Sequence, residues 1–215
     1  MTAALACAAA IFEREALVLL LSPSLRQSGE LFRKVVTFYR SLPSAPRPIG
    51  DSALRLELAN GSRIVSLPGT EDTIRGYSGV RLLVVDEASR VPDALYFAIR
   101  PMLAVSGGRL VALTTPAGKR GWYFDAWTSS APWERVRITA LDVPRISAAF
   151  LEEERRSMPD SWFRAEYLAE FTDADGAFFR EADIAAALTD DVLPLFGAAP
   201  SLPLLLGSET DPVTW

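Results

Sequence analysis

Short, wholly apolar runs alternate along this chain with longer segments whose apolar residues recur at helical spacing. Ala16-Leu17-Val18-Leu19-Leu20-Leu21, Leu82-Leu83-Val84-Val85 and Leu110-Val111-Ala112-Leu113 are the runs. Apolar stretches this short, without polar alternation, predict strands buried on both faces, as in a parallel sheet. Val136 to Thr139 predicts a last short strand. Between 25 and 41, Leu31, Val35, Phe38 and Tyr39 fall on one helical stripe, with Arg26, Arg33, Lys34 and Arg40 on other faces. Further helices are expected over 2–14, 92–102, 122–127, 150–158 and 161–170. The alternating segments 54–58 and 63–67 flank Asn60-Gly61, a strong hairpin signal. Residues 41–51 carry three prolines and are expected to be a loop, as is the Gly- and Thr-containing stretch 68–79. Strands separated by helices indicate an α/β fold, a mostly parallel sheet flanked by helices.

Composition narrows the chemistry. The 215 residues are 49% hydrophobic and 23% charged, which suits one sizeable core. A net charge of −5 argues against a coat of basic residues and leaves room for a local basic face. The lone Cys7 rules out an internal disulfide framework, fits a core position and points to a reducing compartment. There is no histidine, which removes Ser-His-Asp and Cys-His nucleophile systems and His-ligated metals. Chemistry is left to carboxylates, hydroxyls, Arg and Lys. The apolar start lacks a preceding basic segment and is interrupted by Glu13-Arg14-Glu15, and the run 16–21 is too short to span a bilayer. The expectation is a soluble, cytosolic protein with no membrane partner.

Asp86 and Glu87 follow directly on the run ending at Val85. They therefore fall where a buried strand leaves the sheet, the edge at which α/β folds place ligands. Adjacent acids there suit metal-assisted phosphate chemistry, Asp86 holding Mg²⁺ through water and Glu87 accepting a proton from the attacking water. The form is that of a Walker B motif. The same octamer also reads as a buried strand ending in two solvated acids. Two further runs end in hydroxyls, at Ser22-Pro23-Ser24 and at Thr114-Thr115-Pro116, and the second suits a residue that senses the γ-phosphate.

The order of these features, with Leu19–Ser28, Thr73–Gly79, Leu113–Pro116 and Trp162–Phe171, resembles the ATPase half of phage terminase large subunits, the motors that package DNA into procapsids. The resemblance covers about residues 1–180 and implies a P-loop NTPase-like sheet of the ASCE type. It implies that Asp86 binds Mg²⁺, that Glu87 is the catalytic carboxylate, and that Thr114 and Thr115 couple hydrolysis to movement. Arg75 matches an arginine that acts on a neighbouring subunit's ATP, and also reads as a loop arginine paired with Glu71 or Asp72. Lys119 and Arg120, after the coupling strand, are candidate DNA contacts, and equally a solvated basic loop. Trp122, Trp127 and Trp162 read as packing anchors rather than base-stacking platforms. The implied cofactors are ATP and Mg²⁺. The implied partners are double-stranded viral DNA, the terminase small subunit, the portal and procapsid, and further copies in a pentamer-like ring. The implied location is the cytoplasm of the bacterial host. A helicase-like ATPase and a non-catalytic, partner-dependent fragment are the alternatives.

The pattern breaks in two places. No G-x-x-x-x-G-K-[ST] occurs, and Gly118-Lys119 is followed by Arg120 after the wrong strand. The expectation is a chain that begins just past the phosphate loop, lacking the first strand, so that ATPase activity of the chain alone is impaired. Residues 181–215 are expected to be a linker or tail, without the acid cluster of a nuclease domain.

Overall fold

The computed structural model describes residues 1–68, 74, 76–173, 183 and 186–187. The chain divides into two compact units, Met1–Gly176 and Ala177–Trp215. In the second, Asp183, Ala186 and Ala187 are helical; the rest of the expected tail lies outside the described residues.

Six strands form one sheet: β1 (Leu17–Ser22), β2 (Pro48–Ser52), β3 (Arg55–Leu58), β4 (Arg63–Pro68), β5 (Val80–Asp86) and β6 (Arg109–Leu113), in the order β2-β3-β4-β1-β5-β6. β4, β1, β5 and β6 run parallel, while β2 and β3 add as an antiparallel hairpin edge. Every residue of β1 is buried, which explains its lack of alternation: it has a strand on each side and helices on both faces.

Side-chain alternation divides the core. Val18, Leu20, Leu82 and Val84 face α1 (Thr2–Phe12) and α2 (Leu25–Arg40), meeting Ala6, Cys7, Leu31, Phe32 and Val35. Leu19, Leu21, Leu83 and Val85 face α3 (Asp93–Ile99) and α4 (Gly121–Thr128), meeting Leu95, Ile99 and Trp122. A smaller cluster of Ala140, Leu151 and Phe163 joins α5 (Ala148–Ser157) to α6 (Asp160–Leu168). Cys7 is buried as expected; burial pushes its thiol up to about 11. α2 is pinned to the sheet by buried Ser28, whose hydroxyl donates to the Leu67 carbonyl at 2.9 Å, while Ser66 donates to the Ser28 carbonyl at 3.0 Å.

Two expectations are corrected. Pro48–Ser52, expected as loop, is strand β2. It is an exposed edge strand with proline at its first position, where no ladder donor is missed, so neither alternation nor propensity marks it. Val136 to Thr139 is not a strand. Val136 and Ile138 stay 67% and 57% exposed. The guanidinium groups at this segment tie it to the helices: Arg135 donates to the carbonyls of Ala126, Ser129, Ala131 and Trp133, and Arg137 to that of Leu168.

Candidate functional site

The parity that sorts the core also aims the acids. Leu82 and Val84 face α1 and α2, and Asp86, two residues further, falls on the same face at the carboxyl edge. On the neighbouring strand, Leu21 pairs with Val85, so Ser22 stands beside Asp86 on that face. Ser22 is fully buried, and its hydroxyl meets no hydrogen-bond partner among the described residues. Burial raises the Asp86 carboxyl above its ordinary range, and the charge of Glu87 raises it further; the Glu87 backbone N–H and the Lys34 ammonium oppose the shift. A desolvated acid beside an orphan hydroxyl is a site that a cation or a polar ligand would satisfy.

Glu87 leaves the strand with φ 51° and ψ 45°, the left-handed region that a glutamate adopts at a cost of about 1 kcal/mol. The turn that follows, Ala88–Arg90, is a single 3₁₀ turn. Arg90 Nε lies 3.4 Å from the Glu87 carboxylate. Ala88 is fully buried in the opposite core layer and fastens the turn.

β6 ends one residue before Thr114, because Asp86 pairs with Leu113. The coupling-motif candidates are thus brought to the same edge as the acids. Ser89, which no sequence motif singled out, joins them: its Oγ lies 2.8 Å from Thr114 Oγ1 and 2.9 Å from the Thr115 carbonyl oxygen. Thr114 Oγ1 lies 2.7 Å from the same carbonyl oxygen. The only advance sign of Ser89 was its place two residues after Glu87. Beyond this, Asp93 Oδ1 accepts from the Trp122 backbone N–H at 2.8 Å, and Trp122 Nε1 donates to the Val91 carbonyl at 3.0 Å.

Other expected site residues fall elsewhere. Lys119 pairs with Asp173 at 3.0 Å, and Arg120 is exposed at the start of α4. Phe171 packs on Tyr123, Phe124 and Trp127, so the segment after α6 returns to α4. Arg75 and its expected partners Glu71 and Asp72 lie outside the described residues. Of the tryptophans, Trp122 is the buried anchor expected, Trp127 is half-buried, and Trp162 is 54% exposed rather than packed. Arg33 and Arg40 pair with Glu30 and Asp51 on a solvated helix face.

A mostly parallel sheet sandwiched by helices, with acids leaving β5 and hydroxyls leaving the strand beside it, has the architecture of P-loop domains of the ASCE type. The same fold is found in solved structures. The ATPase domain of the large terminase of Thermus phage P74-26 superposes with a TM-score of 0.64 at 20% identity, covering 79% of this chain and 82% of that one. A second large terminase, from a thermophilic bacteriophage, superposes with a TM-score of 0.65 at 19% identity, covering 80% of this chain and 45% of that one; that protein has also been solved with ADP and with ATP-γ-S. In sequence, the model of the family described as terminase large subunit, T4likevirus-type, N-terminal, matches residues 1–186. The chain belongs to this family of terminase large subunits. It is 29% identical over 134 residues to the terminase large subunit of Escherichia phage T5, covering 58% of this chain. It is 25% identical over 190 residues to that of Thermus virus P23-45, covering 73% of this chain. The chain spans 30% and 39% of the length of these two relatives.

Proposed function

We propose that this chain is the ATPase part of a phage DNA-packaging motor. The observation that carries the reading is the placement of Asp86 and Glu87 at the carboxyl edge of the sheet beside the Thr114-Thr115 strand end. Glu87 accepts the proton of the water that attacks the γ-phosphorus, as the bond from that phosphorus to the bridging oxygen of the leaving ADP breaks. Mg²⁺ takes one or two carboxylates, with phosphate oxygens and water completing its shell, so Asp86 suffices as its protein anchor, and the orphan Ser22 hydroxyl beside it suits a metal-bound water. When bound, the ion neutralises charge on the phosphates. The nucleotide complexes of the thermophilic phage terminase support ATP as ligand.

Phosphate binding needs a glycine loop and lysine that these 215 residues do not contain. That loop would come on a further strand, supplied from outside these residues, that adds to the outer edge of β6. Two observations support this. β6 pairs with no strand on that side among the described residues, and Leu110 to Leu113 are only half-buried where β1 and β5 are buried. Arg75 acts on the ATP of a neighbouring copy in a pentamer-like ring. Lys119 contacts viral DNA by exchanging Asp173 for a phosphate, and the exposed Arg120 joins it. Residues 181–215 form the linker beyond the ATPase unit. Small subunit, portal and procapsid complete the machine in the host cytoplasm, and no helix among the described residues is long and apolar enough to cross a membrane.

The test is ATP turnover by the chain extended at its N-terminus with a strand and phosphate loop. Glu87→Gln is expected to lower kcat by at least about 10²-fold while leaving nucleotide binding intact. Full turnover in that variant would overturn the role of Glu87. Nucleotide binding without turnover in the extended parent would overturn the ATPase reading.

A further inference from the structure

Ser89 stands at a junction that neither the acids nor the coupling residues explain alone. Two hydroxyl protons, on Ser89 and Thr114, serve three short contacts: Ser89 Oγ to Thr114 Oγ1 at 2.8 Å, Ser89 Oγ to the Thr115 carbonyl at 2.9 Å, and Thr114 Oγ1 to the same carbonyl at 2.7 Å. If both protons pointed at the carbonyl, the two hydroxyl oxygens would face each other at 2.8 Å without a proton between them. The stable arrangements are therefore two chains, Ser89 to Thr114 to the carbonyl, or Thr114 to Ser89 to the carbonyl. Both run through Ser89 and both end on Thr115.

The turn that carries Ser89 begins at Glu87, in left-handed backbone. Such a conformation persists only where the surroundings hold it. Arg90 holds the Glu87 side chain on the solvent side, and Ala88 holds the turn in the core. Within the turn, the Arg90 N–H donates to the Glu87 carbonyl at 2.9 Å and the Val91 N–H to that of Ala88 at 3.2 Å; Ser89 adds a hold that reaches the neighbouring strand end. The far ends of both segments are fastened separately, where Trp122 donates to Asp93 and to Val91 and stacks on Tyr96 with ring centroids 4.1 Å apart. The stretch 115–121 is thus a bridge clamped at Ser89 and at Trp122. It carries Gly118, whose φ of 80° favours glycine, and Lys119, paired with Asp173.

We propose that Ser89 is the positioning residue that locks the Glu87 turn to the end of β6, so that displacement of either one moves the other. The contact stands on its own geometry; its consequence for turnover rests on the ATPase reading above.

Amide hydrogen exchange on the 215-residue chain tests the lock without any nucleotide. Ser89→Ala is expected to speed exchange about tenfold both at 87–90 and at 114–118, the loss of about one hydrogen bond, and to leave the Trp122 amide unchanged. Thr114→Val speeds exchange at 87–90, the double variant is no faster than either single, and Ser89→Thr restores the parent pattern. Acceleration at 87–90 alone, or additive effects in the double variant, would overturn the lock. If Ser89→Ala does not fold, Thr114→Val decides: unchanged exchange at 87–90 overturns it. In the extended chain that turns over ATP, Ser89→Ala lowers kcat about tenfold with KM unchanged and Ser89→Thr recovers it; an unaltered kcat overturns the positioning role. Absence of turnover in the extended parent counts against the ATPase reading, and the exchange result then still judges Ser89.

Discussion

Trp122 ties α4 to the segment that follows the acids, and its replacement gives a graded test of that packing. Its ring is 4% exposed, stacks on Tyr96 at an interplanar angle of 4° and donates to the Val91 carbonyl at 3.0 Å. Trp122→Ala removes the whole ring from a close-packed layer, which typically costs about 3–5 kcal/mol. Trp122→Phe keeps an aromatic face for Tyr96 but loses part of the buried ring and the Nε1 donor, the stranded Val91 carbonyl costing about 1–3 kcal/mol. For a unit of this size, each kcal/mol lowers Tm by about 2–4 °C. The expected falls are therefore about 6–20 °C for Trp122→Ala and about 2–12 °C for Trp122→Phe. Far-UV circular dichroism through a thermal scan reads both, with urea midpoints as a second measure. The alanine variant must be the less stable of the two. Parent stability in Trp122→Phe would refute the hydrogen bond as a contributor, and a loss below about 1 kcal/mol in Trp122→Ala would refute the ring as an anchor.

Two buried ionisable groups give further outcomes. The Asp86 carboxyl is raised in the fold from its ordinary value of 3.8, chiefly by burial. Its protonated form is thus the one the fold favours: that contribution is complete below 3.8 and is lost as pH rises through the folded value. Asp86→Asn does not titrate, so its urea midpoint is expected to exceed the parent's at neutral pH, by a margin that shrinks toward about pH 4; an equal or lower midpoint at neutral pH would refute the desolvation argument. Cys7, buried and pushed up to about 11, is expected to resist a thiol reagent at about pH 8 in the folded chain and to react at once in denaturant; rapid labelling of the folded chain would place it at the surface.

The sheet was legible where burial wrote the pattern. β1 and β5 are apolar runs because neighbours cover them, β6 is as apolar though only half-buried at the sheet's edge, and the hairpin turned at Asn60-Gly61 because glycine there takes φ 85°. β2 left no mark because an exposed edge strand asks nothing of its side chains. Val136 to Thr139 carried a strand's alternation, but Val136 and Ile138 stay exposed, and the arginines on either side of Val136 bond to carbonyls at the ends of helices rather than beside a partner strand. At the site, Asp86, Glu87 and Thr114 could be placed at one edge from their positions after apolar runs. Ser89 could not, because a serine hydroxyl has no pattern: its meaning lies in an oxygen 25 residues away in sequence. Lys119 shows the same limit, since its partner Asp173 comes from beyond α6.

The carboxyl edge also differs from the rest of the sheet in how its local rules are met. Ser28, Ser62 and Ser66 are as deeply buried as Ser22, yet each has its hydroxyl satisfied by backbone. Ser22 does not, and beside it stands an acid whose charged form is disfavoured by burial, followed by a glutamate in left-handed backbone. The other non-glycine residues with positive φ among those described are Glu15, in the turn before β1, and Ala169, at the C-terminal cap of α6. Both lie where a helix has just ended and such backbone is a common way to stop it. Glu87 instead follows a strand, where nothing in the local sequence requires the turn. An orphan hydroxyl, a desolvated carboxylate and a strained turn on consecutive or neighbouring positions each lower stability, and nothing in the packing of the sheet needs all three together. Their coincidence makes these positions the candidates for binding an outside ligand. It picks out Ser22, Asp86 and Glu87 on physical grounds that owe nothing to the resemblance.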